Sequence, residues 1–135
     1  MRRLSSVLLL LFASLALAVA GCGGDDESEE ESATPTEAVA EIEEIKTMLA
    51  TAVDQVRSGD ADAAEETVGD AYLEHFEHVE HPLGERDHDL MEELEEAIST
   101  DLRNDIKDGK SADEIDAAVD DINADLDKAV EVLQG

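Results

Sequence analysis

All four histidines of the chain fall between positions 75 and 88, and three of them repeat as a dipeptide: Glu74-His75, Glu77-His78 and Glu80-His81, followed by Glu85 and His88. Imidazole together with carboxylate suits iron, copper, zinc or nickel. Residues three or four apart are neighbours on a helix, so Glu74 with His78, Glu77 with His81, and Glu85 with His88 are each expected to offer one carboxylate and one imidazole to the same ion. A helix turns by about 100° per residue, so His75, His78 and His81 wind around it instead of lining one face, and a single three-histidine site is not expected. His75 falls at the edge of an apolar stripe, a place that suits a hydrogen-bonded boundary histidine as well as a ligand. Glu74, His78 and His81 fall toward solvent, where the plainer expectation is a wetted face with salt-dependent pairs. Asp87 is the one carboxylate in phase with a core line nearby, and it completes the candidate metal set.

Other chemistries find no footing. A buried di-iron centre needs inward carboxylates and two Glu-x-x-His pairs; only Glu85 to His88 has that spacing, and the inner stripes of the first and last helices are wholly apolar. There is no phosphate-cradling glycine loop, no nucleophile beside a positioned base, no Cys-x-x-Cys-His for haem, and no calcium loop, since 104–115 lacks ligands at the third and last positions. An enzyme is not expected, and any metal site should be peripheral, near the turn between the second and third helices.

Four amphipathic segments must position these residues, each with apolar side chains at three-and-four spacing and helix punctuation between them. The first opens on Thr34-Pro35-Thr36-Glu37, a capping box with proline at the first helical position, and carries Ala38, Ile42, Ile45, Leu49, Ala52 and Val56 to a stop at Gly59. The second starts at a capping Asp60 and carries Ala64, Val68, Tyr72, Phe76 and Val79, with Pro82 ending it or beginning the next. The third uses Leu83, Leu90, Met91, Leu94, Ile98 and Leu102 and ends in Lys107-Asp108-Gly109. The fourth follows the capping box Ser111-Ala112-Asp113-Glu114 with Ile115, Val119, Ile122, Leu126, Ala129 and Leu133. Short connections make an all-α, antiparallel up-down-up-down four-helix bundle over 36–135 the simplest way to bury four such stripes.

The first 35 residues read differently. Arg2 and Arg3, the apolar run Val7 to Ala20 and the small residues after it have the three-part layout of a secretory signal, too short for a comfortable membrane span. Val19-Ala20-Gly21-Cys22 resembles the lipobox of bacterial lipoproteins, in which the signal (1–21) is cut away and the cysteine thiol receives a diacylglycerol. Cys22 is the only cysteine, so it is either a free thiol or modified, and in an oxidising compartment modification is the better expectation. Two acyl chains suffice for firm anchoring. The linker, 22–35, is acidic and lacks large apolar side chains through Ala33, so it cannot order itself by burial and should act as a tether. Losing Arg2 and Arg3 takes the chain from nine basic residues to seven against 37 acidic ones, a net charge of −30. Such a surface repels nucleic acid and anionic headgroups and attracts cations.

Ser58-Gly59-Asp60, Ala63-Ala64, the run Asp70-Ala71-Tyr72-Leu73-Glu74-His75-Phe76-Glu77-His78-Val79-Glu80, Pro82-Leu83 and Arg86-Asp87 together resemble the extracytoplasmic helical domain attached to some high-affinity iron permeases of the oxidase-coupled type. The resemblance covers roughly residues 40 to 130 and is most specific over 70 to 87. It implies motif positions at Tyr72, Phe76, Glu77 and Glu80, and a role in handling or sensing iron outside the membrane beside an uptake system. The permease's membrane helices, with their Arg-Glu-x-x-Glu motifs, are absent from this sequence, so transport by the chain itself is not implied. The expectation is therefore a lipid-anchored, extracytoplasmic accessory protein that binds iron or another divalent transition metal and works with iron-uptake membrane proteins. A structural or partner-binding lipoprotein with incidental histidines is the alternative, and an extracytoplasmic pH or ligand sensor a third.

Overall fold

The structure, a computed structural model, describes residues 33–135, so the signal segment, Cys22 and nearly all of the acidic linker lie outside the described residues. What it describes is all-helical, in four helices: α1 (Pro35–Ser58), α2 (61–84), α3 (88–107) and α4 (Ala112–Gln134). The ends form for local reasons. Thr34 caps α1 in a full capping box with Glu37, and Pro35 takes the first turn, where its missing N–H leaves no gap. Gly59, at φ 87°, closes α1 in the left-handed region that glycine enters without penalty. Asp60 accepts from the Ala63 N–H at 3.2 Å to start α2, and Ser111 with Glu114 repeats the capping box at α4.

Two of the helices are not uniform. In α2 the turn Ala71–Phe76 is π-helical, with the Glu77 N–H reaching the Tyr72 carbonyl five residues back. In α3 the turn Ala97–Asp101 is likewise widened, and the Leu102 N–H reaches Ala97. A π turn inserts a residue into the 3.6-residue period and re-aims every side chain beyond it. The α2 insertion sits inside the histidine-rich stretch.

Pro82 neither ends α2 nor begins α3. The helix runs through it to Gly84, and Pro82 and Leu83 are both buried on α2. Leu83, expected on the third helix, therefore belongs to the second. A proline deprives a helix of one N–H and crowds the carbonyl four residues back, but here only Leu83 and Gly84 remain to be placed. The exposed carbonyls find partners at once: Arg86 donates from Nη1 to Pro82 O at 2.9 Å, and the Asp87 N–H reaches Leu83 O at 2.8 Å.

Helix α1 packs along α2 and α4, α2 along α3, and α3 against α4. The core is apolar throughout, and no polar or charged residue among those described is fully buried. Ala38, Ile42, Ile45, Leu49, Ala52 and Val53 line it from α1, with Val53 taking the inner position expected of the half-buried Val56. All six expected positions of α4 are buried. Among the described residues Phe76 is the one large aromatic fully inside, so small side chains and close approach do much of the packing. Ion pairs edge the seams: Lys46 with Asp127 at 2.6 Å and Arg57 with Asp116 at 2.7 Å join α1 to α4. Glu65 of α2 receives both Arg103 and Lys107 of α3, and the Arg103 guanidinium lies across Gly69.

Candidate metal site at the turn between α2 and α3

The turn is held by Asp87. Its Oδ1 accepts from the Leu90 N–H at 3.1 Å and so begins α3. The side chain expected to join a metal set from the core line thus serves as a helix cap, an end-group whose replacement by alanine typically costs about 1 kcal/mol. Because Asp87 is the cap, Glu85 lies in the turn after α2 while His88 opens α3, and the three-residue helical spacing expected to pair them does not exist. Glu85 stands instead 3.9 Å from His81 Nε2, while His88 Nε2 approaches Glu92 at 3.4 Å.

The other expected pairs are also rearranged. His78 directs Nδ1 to the main-chain carbonyl of Glu74 at 3.0 Å, not to its carboxylate. His81 takes its C-terminal neighbour Glu85 and leaves Glu77 exposed without an imidazole partner. His75, on the π turn, reaches across to α1, where Nδ1 meets Glu41 Oε2 at 2.6 Å with both side chains partly buried. It is the hydrogen-bonded boundary histidine. Glu74, His78, His81 and His88 are exposed, and among the described residues no three His, Cys, Asp or Glu side chains stand close enough to cage an ion.

Glu80 differs from the rest. It is half-buried, and its Oε1 is shut off from solvent with no hydrogen-bond partner. Burial raises its pKa above the ordinary carboxylate value; the Tyr72 phenol pulls it back down, and Glu95 and Glu77 add repulsion that raises it again. Tyr72 feels the same neighbourhood: burial first, then Glu80, Glu95 and Glu77, push its phenol up to about 12. The Tyr72 phenol and the carboxylates of Glu77, Glu80 and Glu95, from α2 and α3, thus act on one another. Glu95 was not among the residues singled out from the sequence, because nothing in a run of Glu92, Glu93, Glu95 and Glu96 marks the one that faces α2.

No protein-family model, curated protein or solved structure matches this chain.

Beside Glu80 lies a shallow cavity of about 380 Å³, lined by Glu80, His81, Gly84, Glu85 and Met91. It is the place where the candidate set comes nearest to assembling, with Glu80, His81 and Glu85 among its lining residues. The larger groove between α3 and α4, about 500 Å³, has carboxylates such as Glu93, Asp101 and Asp121 around Leu102 and Ile122 but no histidine. It offers nothing with an affinity for transition metals beyond charge. No described helix is long and apolar enough to cross a membrane.

Proposed function

We propose that this chain is an extracytoplasmic, lipid-anchored binding protein that captures a transition metal ion, iron foremost, at the α2–α3 turn. It would carry no catalytic residues and would hand the ion to an uptake system in the membrane. The observation that carries this is the partnerless, buried oxygen of Glu80, a residue lining the cavity that also holds His81 and Glu85. A buried polar atom left without a partner costs stability, and a bound cation would satisfy it while relieving the repulsion among Glu77, Glu80 and Glu95. Glu80, Glu85 and His81 line the same cavity and are donor types that suit ferrous iron, and an ion there would have to draw their side chains together. The likeness to the helical domain of iron permeases points to the same cargo, and its motif positions Tyr72, Glu77 and Glu80 are the groups crowded here.

The remaining parts fit that role. The helices would run up-down-up-down, which puts the α2–α3 turn at the same end of the bundle as the start of α1, where the linker joins. Cys22, carrying two acyl chains, would hold the bundle at the outer face of the membrane on an acidic tether that a like-charged surface pushes outward.

Calorimetric titration of the chain with ferrous, ferric and zinc ions tests the metal role. Micromolar ferrous binding that weakens in Glu80→Gln and His81→Ala is expected. Millimolar or absent binding, indifferent to both changes, would overturn it. Cys22→Ser should release the protein from membranes, and undiminished membrane association in that variant would refute the anchor.

A further inference from the structure

We infer that the groove between α3 and α4 binds a linear polyamine, its ammonium groups taken up by carboxylates of both helices and its methylenes laid along Leu102 and Ile122. This goes beyond the metal role and stands apart from the turn between α2 and α3.

The two helices leave room because small side chains, Ala97 on α3 and Ala118 on α4, line the opening over a floor that Leu102 and Ile122 supply. It holds about 500 Å³, within the range of about 300–1,000 Å³ usual for small-molecule sites. Glu93, Glu96, Asp101 and Asp105 line it from α3, and Asp121 and Asp125 from α4. Of these, among the described residues, only Asp105 and Asp125 are ion-paired, with Lys110 at 2.7 Å and Lys128 at 2.6 Å. Both lysines are exposed, and such pairs are worth little, so an incoming ammonium can replace them.

The π turn of α3 helps to build this wall. On an ideal helix every fourth residue drifts by about 40°, so Glu93, Ala97, Asp101 and Asp105 would wind off the groove. The turn Ala97–Asp101 holds more residues than an ordinary one and offsets part of that drift, and all four line the opening.

Charge and shape together choose the occupant. A cleft lined by one sign of charge focuses its field and concentrates counter-ions, which any cation would satisfy; the apolar floor narrows the class. The methylene stem of a lysine lies along apolar surface with its ammonium in water, and a polyamine is a chain of such stems joined through ammonium groups. Asp101 and Asp105, like Asp121 and Asp125, stand four residues apart in the chain. That is about 6 Å along a helix, an interval that a short run of methylenes spans. A bare metal ion would leave the floor uncovered. Leu102 and Ile122 are only 1% and 5% exposed, a strip too narrow for the successive bulky anchors through which an amphipathic helix docks.

The test is calorimetric titration of the full chain, in detergent, with spermidine at about 0.15 M salt. One spermidine per chain with a micromolar Kd is expected, and magnesium at the same concentration should not displace it. Asp101→Asn combined with Asp121→Asn should weaken binding roughly tenfold or more, the scale of losing a charged hydrogen-bond partner. Ala118→Leu fills the opening without changing the charge and should weaken binding as much. Ala97→Leu provides the same readout should Ala118→Leu lose its helical circular dichroism. Glu43→Gln combined with Glu44→Gln removes the same charge from an exposed turn of α1. That control should leave the Kd within about twofold, since salt screens distant surface charges. Millimolar or absent binding, displacement by magnesium, or equal losses in the control and the groove variants overturns the inference. So does a basic amphipathic peptide that binds where spermidine does not and is lost in Ala118→Leu, which would give the groove to a protein partner.

Discussion

Glu41 of α1 and His75 of α2 meet at 2.6 Å, carboxylate oxygen to imidazole Nδ1, across the one place where α2 is widened by a π turn. The contact ties the histidine-rich helix to its neighbour and commits His75 to structure. Glu41→Ala and His75→Ala should each destabilise the fold, with a coupling of about 1 kcal/mol in a urea double-mutant cycle. Ferrous affinity should be unchanged in both. Loss of metal binding in His75→Ala at full helicity would show that the imidazole leaves Glu41 for the ion.

Tyr72 is the only tyrosine in the chain, so its ionisation can be followed by phenolate absorbance without interference. Burial and the neighbouring carboxylates raise it to about 12. Its folded-state value lies above the ordinary 10, so the unfolded chain loses the proton first, and stability should fall as pH rises from about 10 toward 12. The expected titration midpoint is near 12 while circular dichroism stays native, moving downward in Glu80→Gln. A native-state midpoint at 10 would mean that the phenol is not enclosed as described.

The helices themselves were plain in the sequence because their ends are written in local chemistry. Thr34, Gly59, Asp60, Gly109 and Ser111 each act at a terminus through their own side chain or backbone freedom, and the stripe of α4 keeps an unbroken 3.6-residue period. The site was less legible because its geometry depends on departures from that period. The π turn at Ala71–Phe76 leaves no mark in the apolar pattern, and of the expected pairs Glu74 with His78 is the one that spans its end. The Asp87 cap split Glu85 from His88, a boundary that Pro82 had suggested five residues too early. Glu41 and Glu95 come from other helices, and their place beside His75 and Tyr72 exists only after packing, whereas Glu92 is a local neighbour of His88 one turn along α3.

Asp87 allows cap and ligand to be told apart. Asparagine caps a helix about as well as aspartate, whereas alanine does not. Asp87→Asn should keep both stability and ferrous affinity, and Asp87→Ala should lose about 1 kcal/mol in chemical denaturation. A marked drop in metal binding for Asp87→Asn, at unchanged stability, would place the carboxylate on the ion after all.

Glu80 should oppose stability and binding to each other. Its folded-state pKa is raised above the ordinary 4.5, so the folded protein holds the proton to higher pH than the unfolded chain does. The stability linked to it is present in acid and lost as pH rises through the window just above 4.5, leaving a penalty at neutral pH. Glu80→Gln removes the charge at constant size. It should raise stability at pH 7 by up to about 1 kcal/mol, the scale set by a partly buried polar group without a partner. Stability should also change less with pH between 4.5 and neutrality than in the parent protein. The same variant should bind ferrous iron roughly tenfold more weakly, as removal of a metal's partner does. Thermal melts across that pH range, with and without ferrous iron, measure both effects together. Added metal should stabilise the parent chain more than the variant, because an ion that binds only the folded state shifts the equilibrium by mass action. A Glu80→Gln protein less stable than the parent at pH 7 without metal would contradict the placement of this carboxylate among Tyr72, Glu77 and Glu95.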